Sequence, residues 1–412
     1  MKRISFAVTL MALASSGCAG ANPEARPSAP SVSRDGPSQQ TESFLEWRAG
    51  FRTRALAQGI SPGVFDAAFQ GVGVNPTVVR LDGKQAEFTK PIWDYLDSAA
   101  SPTRVETGRE KRQALSPTLA AIEQRYGVDG EAVLAIWGME TNFGANRGDI
   151  PVIESLATLA YEGRRRGFAE EQLIAALRIL QAGDVDPAHM NGSWAGAMGH
   201  TQFIPTSYLS YAVDFTGDGH RDVWSNDPTD ALASAANYLA KSGWTLGQPW
   251  GLEVHMPPGF NFAAADQGNR QPVSHWRSLG VTLMNGGQIP DFGPAAIIAP
   301  AGARGPTFVV FQNFYVIKRY NNATSYAMGV GHLADRIGGG GDFISPWPRD
   351  ERELSRSEKI ELQERLIAAG YETGSTDGVI GPDTTAAIRG YQRAKGMTPD
   401  GFATASLLDD LR

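Results

Sequence analysis

A single cysteine, Cys18, stands among 412 residues. No disulfide can form within the chain, so stability has to come from core packing. Long apolar runs are also missing. Beyond the first twenty residues nothing approaches the ~20 consecutive apolar residues that span a bilayer. The net charge is −7, and the only basic cluster, Arg164 to Arg166, reads as a solvated helix end. That excludes the electrostatic footprint of a nucleic-acid binder. The six histidines are scattered without metal-ligand spacing. The one GxSxG pattern, GISPG at 59–63, follows a helical run rather than a strand and so makes no nucleophile elbow, and a phosphate loop is absent, which leaves serine-hydrolase and nucleotidase readings without support,.

What is present begins with an address. Lys2 and Arg3 precede an apolar run from Ile4 to Ala14, too short to cross a membrane,. Residues 1–17 therefore read as a signal peptide. Cys18 follows that run and looks like the acceptor of a bacterial lipoprotein, acylated after cleavage. Ser15 departs from the Leu usual three positions earlier. Cleavage after Ala21 is the competing reading and gives a soluble periplasmic protein. Ala19, rather than Asp, after the cysteine points an anchored form to the outer membrane. Residues 18–41 are Pro- and Ser-rich and read as a tether,. A Gly- and Pro-rich linker at 338–353 separates a large domain, 42–337, from a small one, 354–412,.

The large domain opens with helical patterns. Phe44, Trp47, Phe51 and Leu56 lie at helical spacing, as do Leu173, Leu177 and Leu180,. DALASAANYLAKSGW, from Asp230, reads as a helix with an Asp cap. Strand-like runs follow at Leu252–Met256 and Pro306–Ile317. The class expected is α+β, mostly helical with a minor antiparallel sheet.

AIWGMETNFG, residues 135–144, places a glutamate where an apolar helix ends. Asp129 is the expected N-cap and Gly144 the expected stop. Val133, Ile136, Trp137 and Glu140 then share one face. Burial beside Trp137 and Phe143 and the negative end of the helix both disfavour a charged Glu140. Both raise its pKa, as a general acid working near neutrality requires. A partly exposed Glu at a helix end is the plainer alternative.

NGSWAGAMGHTQFIPTSYLSYA, residues 191–212, offers Gly192, Gly196 and Gly199 for close approach of a ligand,. Gln202 brings a donor and an acceptor, and Trp194, Phe203 and Tyr208 bring flat faces for sugar rings. The alternative is a Gly-rich turn packed under a helix. AVDFTGDGHRDVW resembles an EF-hand loop. Asp214, Thr216 and Asp218 take its first, third and fifth positions, and His220 would give its carbonyl. Asp222 takes the ninth. Ser225 replaces the closing Glu, so Asp230, or failing it Asp227, is expected to complete a hard-oxygen site suited to Ca²⁺,. Such a metal would brace a loop rather than perform chemistry. A metal-free Asp/Gly turn is the alternative.

Five ordered motifs give the large domain a close resemblance to the lytic murein transglycosylase B family: FTKPIWDYL (88–96), GMETNFG (138–144), SWAGAMGHTQFIP (193–205), DFTGDGHRDVW (214–224) and RYNNATSYAMGVGHLADRI (319–337). The resemblance implies a lysozyme-like core with added helical and small β subdomains. It implies Glu140 as the single catalytic acid/base and Ser193 as its hydrogen-bond partner. Gln202, Tyr95, Tyr238, Tyr320, Asn321 and Tyr326 are then groove residues. The implied reaction cleaves the glycan strands of peptidoglycan between N-acetylmuramic acid and N-acetylglucosamine, leaving 1,6-anhydromuramic ends without a catalytic cofactor. Asp149 and Glu154, close in sequence, keep a hydrolytic muramidase open, and a non-cutting wall binder is the other class. Residues 354–412 read as three short helices, with Ile360, Leu362 and Leu366 beginning one apolar stripe, Ala387, Ile388 and Tyr391 facing a core, and Asp383 as a cap. They resemble a type-1 peptidoglycan-binding domain.

Overall fold

The Gly130–Thr141 helix is apolar on every side, and such a helix belongs inside a core. In the computed structural model of the protein, Val133, Leu134, Ala135 and Ile136 are fully buried. Residues 43–83 and 91–412 are described. The signal-like segment, Cys18 and the tether lie outside them, as do Phe88 to Lys90 of the first motif. Around the central helix pack the Ile92–Ala99, Pro102–Ala114, Thr229–Lys241 and Thr324–Ile337 helices. A second core joins the Phe44–Ala57, Val152–Tyr161 and Arg166–Ala182 helices. Tyr238 and Tyr320 pack against both cores, so they mark the seam between them.

Two sheets complete the large domain. Strands β1 (Ile150–Pro151) and β2 (Asn191–Gly192) form a short antiparallel pair. Strands β3 (Gly251–His255), β4 (Thr282–Leu283), β5 (Ala296–Ile298) and β6 (Thr307–Val310) form an antiparallel sheet in the order β4-β3-β6-β5. Alternation along β6 explains its position. Phe308 and Val310 join the main core, and Val309 joins a smaller one with Trp276, Ile289 and Phe311.

Several local expectations change. Pro306–Ile317 is not one strand: β6 ends at Val310 and a helix runs Gln312–Tyr320. Past Phe311 the buried residues are Asn313, Phe314, Val316 and Ile317, a helical spacing rather than an alternation,. Asp129 stands at the N-cap position, but its carboxylate accepts from Trp244 Nε1, 2.8 Å, and from the Gly247 amide. Asp230 is not a cap either. The helix begins at Thr229, and the Asp230 carboxylate is committed to the 214–222 loop. Asp383 likewise makes no cap, because Gly381 holds that position and Pro382 opens the helix.

The C-terminal domain consists of the Arg356–Ala368, Pro382–Ala394 and Ala405–Leu411 helices around Leu362, Leu366, Ile388 and Leu408. A Ser355/Glu358 capping box starts the first of them, a feature worth about 1 kcal/mol in a small core. The linker is packed down. Phe343 stacks on His332 at 4.0 Å, the Ile344 and Ser345 amides donate to Glu253, and Arg349 pairs with Asp97.

Candidate active site

Glu140 sits in the last turn of the central helix, which ends at Thr141 rather than at Gly144. Three consecutive left-handed residues follow, Asn142, Phe143 and Gly144, with φ of 50°, 57° and 85°. Two are not glycine, so this hairpin after the glutamate is strained. Close packing holds it. A Cβ on Gly138 would come within 2.7 Å of Phe143 Cζ, and the Thr141 hydroxyl donates to the His200 carbonyl at 2.7 Å while accepting from the Gly144 amide.

The side chain of Glu140 is partly exposed at the seam of the two cores. Tyr326 donates its hydroxyl hydrogen to Glu140 Oε1 at 2.5 Å. Burial pushes the Glu140 pKa up to about 7, and the Tyr326 hydrogen bond opposes that rise. No other carboxylate contributes to the shift. Tyr95 is pushed up to about 12, first by burial and then by the Glu140 charge. Burial and Glu140 also raise Tyr320 and Tyr326 well above their ordinary value. Three tyrosines therefore surround one carboxylate and stay protonated. Tyr326 reaches it because Gly329 lets its helix close on Tyr95 and Met139, where a Cβ would come within 3.1 and 3.3 Å.

The remaining groove residues are held by backbone bonds. Tyr320 donates to the Thr201 carbonyl at 2.5 Å and Tyr238 to the Arg319 carbonyl at 2.6 Å, with their rings edge to face at 4.9 Å. Asn321 Oδ1 accepts from the Ala323 amide, 3.1 Å, bracing the corner before Tyr326. Gln202 has φ of 52°, and its Nε2 donates to the Arg147 and Gly199 carbonyls. Its carbonyl oxygen is the end left for a ligand. Ser193 differs from expectation: its hydroxyl accepts from the Ala197 amide at 3.1 Å, and the hydrogen-bond partner of Glu140 is Tyr326.

The glycines also act otherwise than expected. A Cβ on Gly192 would meet the Ala197 carbonyl at 2.1 Å, on Gly199 the Val223 carbonyl at 2.2 Å, and on Gly196 the Leu156 side chain at 2.5 Å. They admit chain against chain, not ligand. Phe203 and Tyr208 are buried core residues, while Trp194 stays half-buried. Asp149 is exposed, and Glu154 accepts from Asn75 at 3.3 Å.

The 214–230 loop brings carboxylate oxygens of Asp214, Asp218 and Asp230 within 4.8 Å of one another. Asp214 accepts from the amides of Gly217, Asp218 and Gly219 and from the Thr216 hydroxyl. These bonds, the Gly219 amide foremost, hold its pKa below the ordinary value. Asp230 is 2 % exposed and accepts from the Phe215, Thr216 and Asp222 amides. His220 Nδ1 lies 3.1 Å from the Gly183 carbonyl, which leaves its own carbonyl as its contribution to any metal. Asp222 turns away to the Trp224 and Ser225 amides.

Two residues outside the sequence reading tie this loop to the site. Arg147 donates to the Trp224 and Ser225 carbonyls, and its own carbonyl receives Gln202. His200 accepts from Trp137 Nε1 at 3.0 Å, and burial lowers its pKa, so it stays neutral. The signal for Arg147 was the polar run NRGD just after the glutamate motif, and His200 stood inside the 193–205 motif, but spacing alone gave neither a partner.

Residues 43–335 match the family described as transglycosylase SLT domain, and residues 355–411 match a peptidoglycan binding domain. The chain is 32% identical over 283 residues to membrane-bound lytic murein transglycosylase B of Escherichia coli (strain K12), covering 63% of this chain and 74% of that protein. It is similar to the crystal structure of SltB3 from Pseudomonas aeruginosa in complex with NAG-anhNAM-pentapeptide, at 51% identity and a TM-score of 0.86, over 90% of this chain and all of that one. The Escherichia coli lytic transglycosylase Slt35 in complex with calcium is 28% identical, with a TM-score of 0.61, over 74% of this chain and 98% of that one.

Proposed function

The chain belongs to the transglycosylase SLT domain family and is a lytic transglycosylase that cleaves peptidoglycan, and we propose that Glu140 performs both proton transfers of that reaction. The observation that carries this is one carboxylate, poised near neutrality, among three protonated tyrosines. Protonated Glu140 donates to the glycosidic oxygen as the bond from muramic C1 breaks. The sugar's own acetamido group steadies the oxocarbenium-like centre. Ionised Glu140, now accepting from Tyr326, takes the proton of the C6 hydroxyl as O6 bonds to C1. The proton lent is returned and no water is consumed. Ordinary glycosidases use two carboxylates, whereas an intramolecular nucleophile needs only one acid/base. Tyr95, Tyr238, Tyr320, Asn321 and Gln202 are assigned to the groove, and Ser193 to its loop.

Glu140→Gln keeps the shape and loses the proton. Digestion of purified sacculi should fall by about 10² or more. Fragments from the parent should weigh one water less than hydrolysed ones. Digestion by the variant within tenfold of the parent would sink the assignment, and fragments without the mass deficit would favour the muramidase.

A structural Ca²⁺ held by Asp214, Thr216, Asp218, the His220 carbonyl and Asp230 is also proposed. Its support is the all-oxygen donor set and the clustered carboxylates,; the similar Slt35 structure is a calcium complex. The ion would stiffen the loop that braces Arg147 and Gln202. The substrate places the enzyme in the periplasm. Cys18, with the tether after it, supports an outer-membrane lipoprotein facing that space.

A further inference from the structure

The corner that carries Tyr320 and Asn321 is closed by a lysine. Lys318 Nζ donates to Thr324 Oγ1 at 3.2 Å and to Gln267 Oε1 at 2.9 Å. Thr324 opens the helix that presents Tyr326 to Glu140. Gln267 belongs to a loop of the β subdomain, and its carbonyl accepts from Tyr315 at 2.6 Å. Arg270 of the same loop lies over the Tyr315 ring, 4.4 Å from its centre, and donates to Gln312 Oε1 and the Pro294 carbonyl.

Lys318 on Gln267, and Arg270 on the tyrosine that bonds Gln267, thus have only neutral acceptors. Among the described residues neither has a carboxylate partner, unlike Arg52, Arg54, Arg112, Arg164 and Arg221 of the same domain. Asp266, in the same loop, gives Oδ1 to the Gly268 amide. Burial lowers the Lys318 pKa, and among the described residues no anion pairs with its charge. The ammonium has a third hydrogen to give, and the guanidinium of exposed Arg270 has spare donors,. A half-buried, uncompensated cation is held at a cost in desolvation, which an anionic ligand relieves.

The substrate supplies such an anion. A peptide joined to muramic acid through its amino end keeps a free carboxylate at its other end. The sugar rings would lie in the groove, and Lys318 stands at the corner of that groove. We propose that Lys318 and Arg270 form a seat for the carboxylate of the stem peptide, and so make the enzyme select peptide-bearing strands. The proposal rests on the lytic transglycosylase reading of the Glu140 groove.

The test compares strands bearing peptides with free carboxylates against the same strands with those carboxylates converted to amides. For the parent, amidation should raise KM about tenfold, the scale of one charge-assisted contact, with kcat unchanged. Lys318→Met should raise KM tenfold on the free-acid strands only, so that both substrates become equal, and Lys318→Arg should restore most of the difference. A parent indifferent to amidation overturns the proposal. So does Lys318→Met weakening both substrates alike, the result for a mere strut between Gln267 and Thr324. Should Lys318→Met fail to fold, Arg270→Gln, on the exposed side, carries the same comparison. Parent cleavage of the amidated strands reports the Glu140 chemistry separately, whichever way the seat is decided.

Discussion

At the scale of single residues, the proposed chemistry rests on Tyr326 and Glu140. Burial favours the neutral acid, and the Tyr326 hydrogen bond favours the carboxylate,. A group that must donate and then accept a proton needs both tendencies. Parent activity should therefore fall as pH rises through about 7, where Glu140 loses its proton. Tyr326→Phe removes the bond that lowers this pKa. The falling limb should move upward by about one pH unit, since a hydrogen bond to a charged group is worth about 1.5 kcal/mol or more. Turnover at pH 6 should drop roughly tenfold, because the ionised form is needed as the base. A pH–rate profile checks both effects, and a limb that stays in place removes Tyr326 from the mechanism.

Among the elements, the 214–230 loop separates two sources of order. Asp230 holds three amides from a buried position and braces the loop without any metal. Asp218 is exposed, and its Oδ1 accepts only from the His220 amide. With chelator present, Asp230→Ala should destabilise the large domain by roughly 2–3 kcal/mol, while Asp218→Ala should stay within about 0.5 kcal/mol of the parent. Added Ca²⁺ should raise the melting temperature of the parent and not that of Asp218→Ala. A parent melting curve indifferent to both chelator and Ca²⁺ leaves the loop a metal-free turn.

For the whole molecule, the two modules are joined by more than a linker. Arg304 pairs with Glu351, which also accepts from Ser406, and Asp400 accepts from the Ala303 amide. Arg389 reaches the Phe262 carbonyl from the binding domain. Attachment to a membrane is a separate proposal and rests on Cys18. Several acyl chains hold a membrane stably where one does not. Fractionated cells should show the parent with membranes and Cys18→Ala in the soluble periplasm. Soluble parent with Asn22 at its N-terminus would overturn the anchor and leave the enzyme untouched.

By itself the sequence determined the helical class, the place of Glu140 in the last turn of a buried helix, and the three-helix small domain. Each follows from local periodicity and from residues whose spacing carries its own geometry. It also carried the five motifs that mark the family. Only tertiary structure decided which partner Glu140 has, because Tyr326 lies 186 residues away and no local rule couples them. Tertiary structure also turned the loop glycines from ligand contacts into chain-packing positions, and moved Asp129 and Asp230 from caps to distant N–H donors. A carboxylate near a helix start satisfies its own backbone only when nothing stronger is within reach. In this fold Trp244 and the 214–222 loop come within reach, and the charge follows the better donors.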